Sequence, residues 1–232
     1  MPDAPTLDVL AAALAEHVDA ARGWREGDPA GVWIASDRPV RRLGLRLEAG
    51  RAPYVWAEGL DAVLLHRPFG LWPARVPEGV GALAYHGGLD REIWTGDALP
   101  RTLGATPEAE PLRRDGQPIG TVSNLDAPVS WEELAARLAA EVGVEQGEAP
   151  GQEPVARIAV VGAMTEALVE DAAARGATVY VTGQIRKPGR AALTRTGLGV
   201  IATGQAASEW WGLRWLGAIV RQRWPGVEVV EV

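Results

Sequence analysis

Two of the chain's three histidines stand where apolar runs stop. Asp61–Leu65 (DAVLL) ends in His66-Arg67-Pro68, and Gly81–Tyr85 ends in a polar stretch that sets His86 and Asp90 four residues apart. Pro68 excludes Arg67 from helical φ/ψ, so the first run closes as a strand and presents its two polar side chains at the tip. Glu209 has a comparable place, after Leu198–Ala202 and the turn Thr203-Gly204-Gln205. One imidazole and two carboxylates from separate strand ends, His66, Asp90 and Glu209, form a donor set for a divalent cation such as Zn, Mn, Fe or Mg. A cation there activates water, which Glu209 or Asp90 would orient, so these two carboxylates are also the candidate catalytic groups. The same residue types serve elsewhere as caps, turn formers and structural hydrogen-bonders, and the pattern alone leaves that reading open.

The elements that must hold these side chains follow from hydrophobic period. Between Arg157 and Glu209, the apolar run Ile158–Val161, a helical stretch through Leu168, Val169 and Ala172, the run Thr178–Val181, a second helical stretch and Leu198–Ala202 read strand, helix, strand, helix, strand. That order produces a mostly parallel sheet with crossover helices, whose ligands bind at the carboxyl ends of the strands. Thr182-Gly183-Gln184 lies at one such end and Thr203-Gly204-Gln205 at the next. Upstream, Leu7, Leu10, Leu14 and Val18 predict an amphipathic helix of about four turns, with Thr6 at its N-cap. Gly23–Gly31 is turn-rich, Val32–Ser36 and Arg42–Glu48 read as short strands, and Arg51–Leu60 has no period. Thr95 or Asp97 caps a helix that Gly104 ends. Ile119–Leu125 reads as a strand, and Ser130-Trp131-Glu132-Glu133 is a capping box opening a helix through Leu134, Leu138 and Val142. The fold class is α/β, with mixed, mostly parallel sheets in two closely packed lobes, 1–145 and 155–232, joined by the linker-like EQGEAPGQEP.

Composition narrows the class of partner. A net charge of −7 argues against nucleic acid, which selects clustered cations. Cysteine is absent, so thiolate chemistry and cysteine metal sites are excluded. No apolar run reaches the roughly 20 residues of a membrane span, and no signal peptide is legible, so a cytoplasmic location is expected. Lys187 is the only lysine among 23 basic residues; it and Arg186 are candidates to hold an anionic substrate. Ten tryptophans against one phenylalanine suit either core or a subunit interface. The segment VVGAMTEA follows a strand as a phosphate loop would, but has one glycine where the dinucleotide fingerprint has three.

Four segments, LLHRPF, YHGGLDREIWTGDALPRTLG, VYVTGQI and IATGQAASEWWGL, occur in that order. Together they resemble the NIF-three-like family of GTP cyclohydrolase 1 type 2 homologues. That family has a strand ending in His-His-Pro, an Asp-containing motif opening a helix, a Thr-Gly-Glu turn and a late Gly-His-x-x-[Ser/Thr]-Glu motif. The resemblance spans nearly the whole chain, is best from Val155 to Val232, and corresponds to a short form without an inserted domain. It implies a two-metal hydrolase fold assembled as a toroidal homohexamer. Carried over by residue, the metal ligands fall on His66, Asp90 and Glu209. The family's second histidine falls on Arg67, its late histidine on Gln205 and its turn glutamate on Gln184. These three, with His86, are left as ligand-binding rather than metal-binding candidates, since arginine stays protonated and glutamine is a weak donor. The resemblance thus leaves three arrangements: one divalent metal, no metal with Arg67 as a fixed positive charge, or the full pair. It also leaves two functions, a hydrolase of a small nucleotide-like molecule and a non-catalytic hexamer that binds a ligand or protein.

Overall fold

The computed structural model describes residues 4–18 and 27–232. The chain forms two compact units, Met1–Asp90 with Glu209–Val232, and Arg91–Ser208. Both are mixed α/β.

The first unit is built on strands β1 (Ala30–Ile34), β2 (Arg42–Glu48), β3 (Ala62–Arg67), β4 (Gly81–Tyr85) and β12 (Glu228–Glu231), in the order β1-β4-β3-β2-β12. The pairs β12·β2, β2·β3 and β3·β4 are parallel, and β1 closes the edge antiparallel to β4. β4 is buried throughout and β3 at every residue except Arg67, as expected of strands covered on both faces. Helix α1 (Leu7–Ala15) covers one face, coming so close over Gly81 that a Cβ there would meet Leu7 Cδ2 at 2.8 Å. Helix α7 (Gln205–Arg223) approaches at Gly217 in the same way, where a Cβ would lie 3.0 Å from Leu45 Cδ1. Tyr54, Leu60, Val63, Leu65, Ala82 and Ala84 form the core cluster of the opposite face.

The second unit has strands β5 (Ala105–Pro107), β6 (Leu112–Arg114), β7 (Gln117–Val129), β8 (Gln146–Glu148), β9 (Val155–Val161), β10 (Val179–Thr182) and β11 (Gly199–Ala202). Their order is β5-β7-β9-β10-β11-β8, with β6 on β7. Only β9, β10 and β11 run parallel, linked by crossover helices α5 (Glu166–Ala174) and α6 (Lys187–Thr196). Helix α4 (Trp131–Glu141) starts as its sequence predicts, with Ser130 Oγ accepting from the Glu133 amide. The polar stretch 145–154 contributes β8, antiparallel to β11 within this unit.

Several elements differ from the sequence expectation. α1 ends at Ala15, short of Val18, which is nevertheless buried. Thr6 has N-cap backbone geometry but makes no side-chain cap bond. The expected strand Ile119–Leu125 extends to Gln117–Val129. Helix α2 (Gly87–Thr95) opens on two glycines, poor helix formers. The Gly87 amide is satisfied from a distance, by Asp28 Oδ2 at 2.8 Å, so the capping partner lies 59 residues upstream. The helix expected between Asp97 and Gly104 does form, as α3 (Ala98–Thr102), with Asp97 at its N-cap but without a side-chain cap bond. Of the turn-rich stretch Gly23–Gly31, residues 23–26 lie outside the described residues, and 30–31 begin β1. No described helix is long and apolar enough to cross a membrane.

Candidate metal centre

His66 is the next-to-last residue of β3, and its side chain is fully buried. Its Nδ1 lies 2.9 Å from the Tyr85 carbonyl, which can only accept, so Nδ1 carries a proton. Nε2 is therefore the atom presented to the site, and it is a buried nitrogen without a hydrogen-bond partner. Asp90 Oδ1 stands 3.3 Å away and Glu209 Oε1 3.6 Å, charge contacts that lack hydrogen-bond geometry. His66, Asp90 and Glu209, distant in the chain, thus converge on one imidazole nitrogen.

His86 completes the group. It follows β4, the parallel neighbour of β3, and its ring centroid is 5.1 Å from that of His66. Asp28 Oδ1 holds His86 Nδ1 at 2.7 Å. His66, His86 and Asp90 offer ligand atoms within 4.8 Å of one another. Both imidazoles have Nδ1 tied to an oxygen, leaving Nε2 as ligand atom, the arrangement that fixes tautomer and ring orientation around a bound metal. The orphaned Nε2 and the two oriented rings make the donor set fit a divalent cation of the Zn, Mn or Fe kind.

Arg67 acts at the edge of this group. It ion-pairs with Glu209 Oε2 and with Glu48 Oε1, its neighbour across the β2·β3 ladder. Burial pushes the Glu209 carboxyl up, but attraction to His66 and Arg67 overrides it and holds the group near 2. Burial likewise lowers the His66 pKa, and the neighbouring Asp90 and Glu209 carboxylates more than reverse this, raising it to about 9. A proton on Nε2 therefore competes with any cation.

Gln184 and Gln205 belong to the second unit. Gln184 follows β10 and, with Glu145 and Arg186, lines a cavity of about 220 Å³. Gln205 opens α7, and Lys187 opens α6. Sequence reasoning missed Asp28, Glu48 and the Tyr85 carbonyl. Glu48 had a legible signal, an acidic residue ending an alternating strand. Asp28 lay in a turn-rich stretch, where aspartate is ordinary.

The chain is similar to known proteins in sequence and in fold. Residues 74–232 match the model of the family described as Duf34/NIF3 (NGG1p interacting factor 3). The chain is 26% identical over 226 residues to a GTP cyclohydrolase 1 type 2 homolog of Pseudomonas aeruginosa, covering 89% of each chain. A protein of the same name from Allochromatium vinosum is 25% identical over 226 residues, covering 89% of this chain and 87% of that one. Among solved structures, protein ybgI, of unknown function, superposes with a TM-score of 0.74 at 21% identity, covering 98% of both chains. Reduced HcgD from Methanocaldococcus jannaschii superposes with a TM-score of 0.71 at 18% identity, covering 98% of this chain and 97% of that one. These structures share the α/β fold.

Proposed function

The chain belongs to the Duf34/NIF3 family, and on that footing we propose that it holds one divalent cation on His66, His86 and Asp90 and hydrolyses a small nucleotide-like molecule. The carrying observation is the buried Nε2 of His66, which has no hydrogen-bond partner although three further donor groups surround it. A cation on Nε2 would take the place of the proton that Asp90 and Glu209 favour there. A cation so placed supplies Lewis-acid polarisation and lowers the pKa of water. Glu209, ionised and fixed by Arg67, orients water by accepting its hydrogen bond; a carboxylate held near 2 is a poor proton acceptor. Arg67 supplies fixed positive charge beside Glu209, which favours one cation over two. The curated relatives are named as homologues of a GTP cyclohydrolase, which supports the substrate class.

Metal analysis of protein purified without an affinity tag, incubated with Zn²⁺ or Mn²⁺ and desalted, tests this reading. About one equivalent is expected, falling several-fold in His66→Ala and Asp90→Ala, whereas less than about a tenth of an equivalent in the parent protein would sink it.

One observation favours a second reading, a non-catalytic homohexamer that binds a ligand. Protonated His66 between Asp90 and Glu209 balances charge without any metal. A metal-free hexamer in light scattering, inactive after metal loading, would select it.

A further inference from the structure

Beyond the carboxyl ends of β2 and β3 lies a cavity of about 620 Å³, within the first unit. The segment after β2 supplies Gly50, Arg51 and Tyr54 to its wall, and the segment after β3 supplies Gly70, Trp72 and Arg75. The candidate metal ligands His66 and His86 occupy the carboxyl ends of β3 and β4 in the same sheet. Adjacent strands lie about 4.8 Å apart, so the cavity and the metal centre are neighbours along the edge where open α/β sheets bind ligands. The connection is short in sequence as well. Gly70 lines the cavity, and Phe69 packs edge-on against His86, with ring centroids 5.5 Å apart.

The walls are fixed before any ligand arrives. Tyr54 is buried, and its hydroxyl donates to the Gly70 carbonyl at 2.8 Å while accepting from the Trp72 amide at 3.0 Å. One phenol thereby staples the two segments together. Trp72 itself is 65% exposed, a large aromatic surface anchored by its backbone. Arg51 and Arg75 make no side-chain hydrogen bond or ion pair among the described residues, and no aspartate or glutamate lines the cavity. In a chain of net charge −7, where most of the described arginines pair with carboxylates, this is a cationic spot without an acidic residue in its wall. Its volume suits a small molecule, for which pockets run to roughly 300–1,000 Å³. Guanidinium groups select carboxylate or phosphate, and an indole face selects a flat ring.

We propose that this cavity binds a planar ring carrying a phosphate or carboxylate, with the ring on Trp72 and the anion on Arg51 and Arg75. That the ligand is also the substrate rests on the hydrolytic reading above; its binding does not.

Isothermal titration of the full chain, metal-stripped and metal-loaded, with guanosine 5′-monophosphate, benzoate and inorganic phosphate tests the proposal. At least one ring anion should saturate the metal-stripped protein, at least about tenfold more tightly than inorganic phosphate. Which of the two binds separates the phosphate from the carboxylate source. Trp72→Ala and the double variant Arg51→Gln/Arg75→Gln alter exposed side chains; each should weaken that binding about tenfold or more while the melting temperature holds. No saturation by either ring anion, inorganic phosphate binding as tightly, or affinity unchanged in both variants overturns the assignment. Metal retention without ring-anion binding defeats the cavity alone, and ring-anion binding without metal retention defeats the hydrolase alone.

Discussion

Replacing Arg67 by histidine exchanges a permanent guanidinium for a neutral donor, beside a glutamate that already faces the metal centre. If the positive charge is what limits the centre to one cation, Arg67→His should raise bound Zn²⁺ from about one equivalent toward two, read by elemental analysis. An unchanged content would show that the guanidinium is not the limit. Arg67→Ala removes the charge instead and leaves Glu209, 2% exposed, without its guanidinium partner. The expected cost is about 2 kcal/mol, below the ~3–5 kcal/mol for a wholly buried pair because Arg67 is partly solvated. Denaturant titration measures it. His66 sets the pH dependence. Its pKa lies near 9 before a cation arrives, so below that pH the imidazolium must release a proton to bind. Metal affinity should therefore climb with pH up to about 9, with close to one proton released per cation at pH 7.5, measurable by titration in buffers of different ionisation enthalpy. An affinity flat between pH 6 and 9 contradicts this placement of Nε2.

At the level of elements, Ser130→Ala should destabilise by about 1 kcal/mol, since it leaves the Glu133 amide at the start of α4 without its side-chain acceptor. A lowered melting temperature with unchanged metal content is the expected result, because α4 lies in the second unit and the metal ligands in the first. This cap was legible in sequence because its chemistry is local: a serine, a glutamate three residues on, an apolar period behind them. β2 and β4 were legible for the same reason, alternation in one and an unbroken apolar run in the other, and their observed bounds match those expected. The opening of α2 was legible only through the family motif. Its two glycines signal a turn, and the aspartate that satisfies its first amide reaches it only through the tertiary fold. The metal centre divides in the same way. His66, Asp90 and Glu209 could be named from strand ends and family motifs, whereas the orientation of His86 by Asp28, and of His66 by a backbone carbonyl, follows from strand pairing that no local pattern encodes.

For the whole chain, the two units differ in how their sequence is distributed. The second is continuous, Arg91–Ser208, and its parallel strands β9, β10 and β11 follow one another through single helices. The first joins residues up to Asp90 with Glu209–Val232, and its sheet is complete only when β12 from the C-terminus pairs with β2. Loop-closure entropy must be met before such distant contacts stabilise anything, so topology of this kind folds slowly. Every candidate metal ligand belongs to the first unit, and Glu209 comes from its C-terminal segment. Cation uptake should consequently follow the slower of two folding phases. In pulsed hydrogen exchange during refolding, amides of β9–β11 should gain protection before those of β2 and β12, with Zn²⁺ uptake tracking the later group. Simultaneous protection of both groups, or Zn²⁺ uptake with the earlier one, would rule out this order.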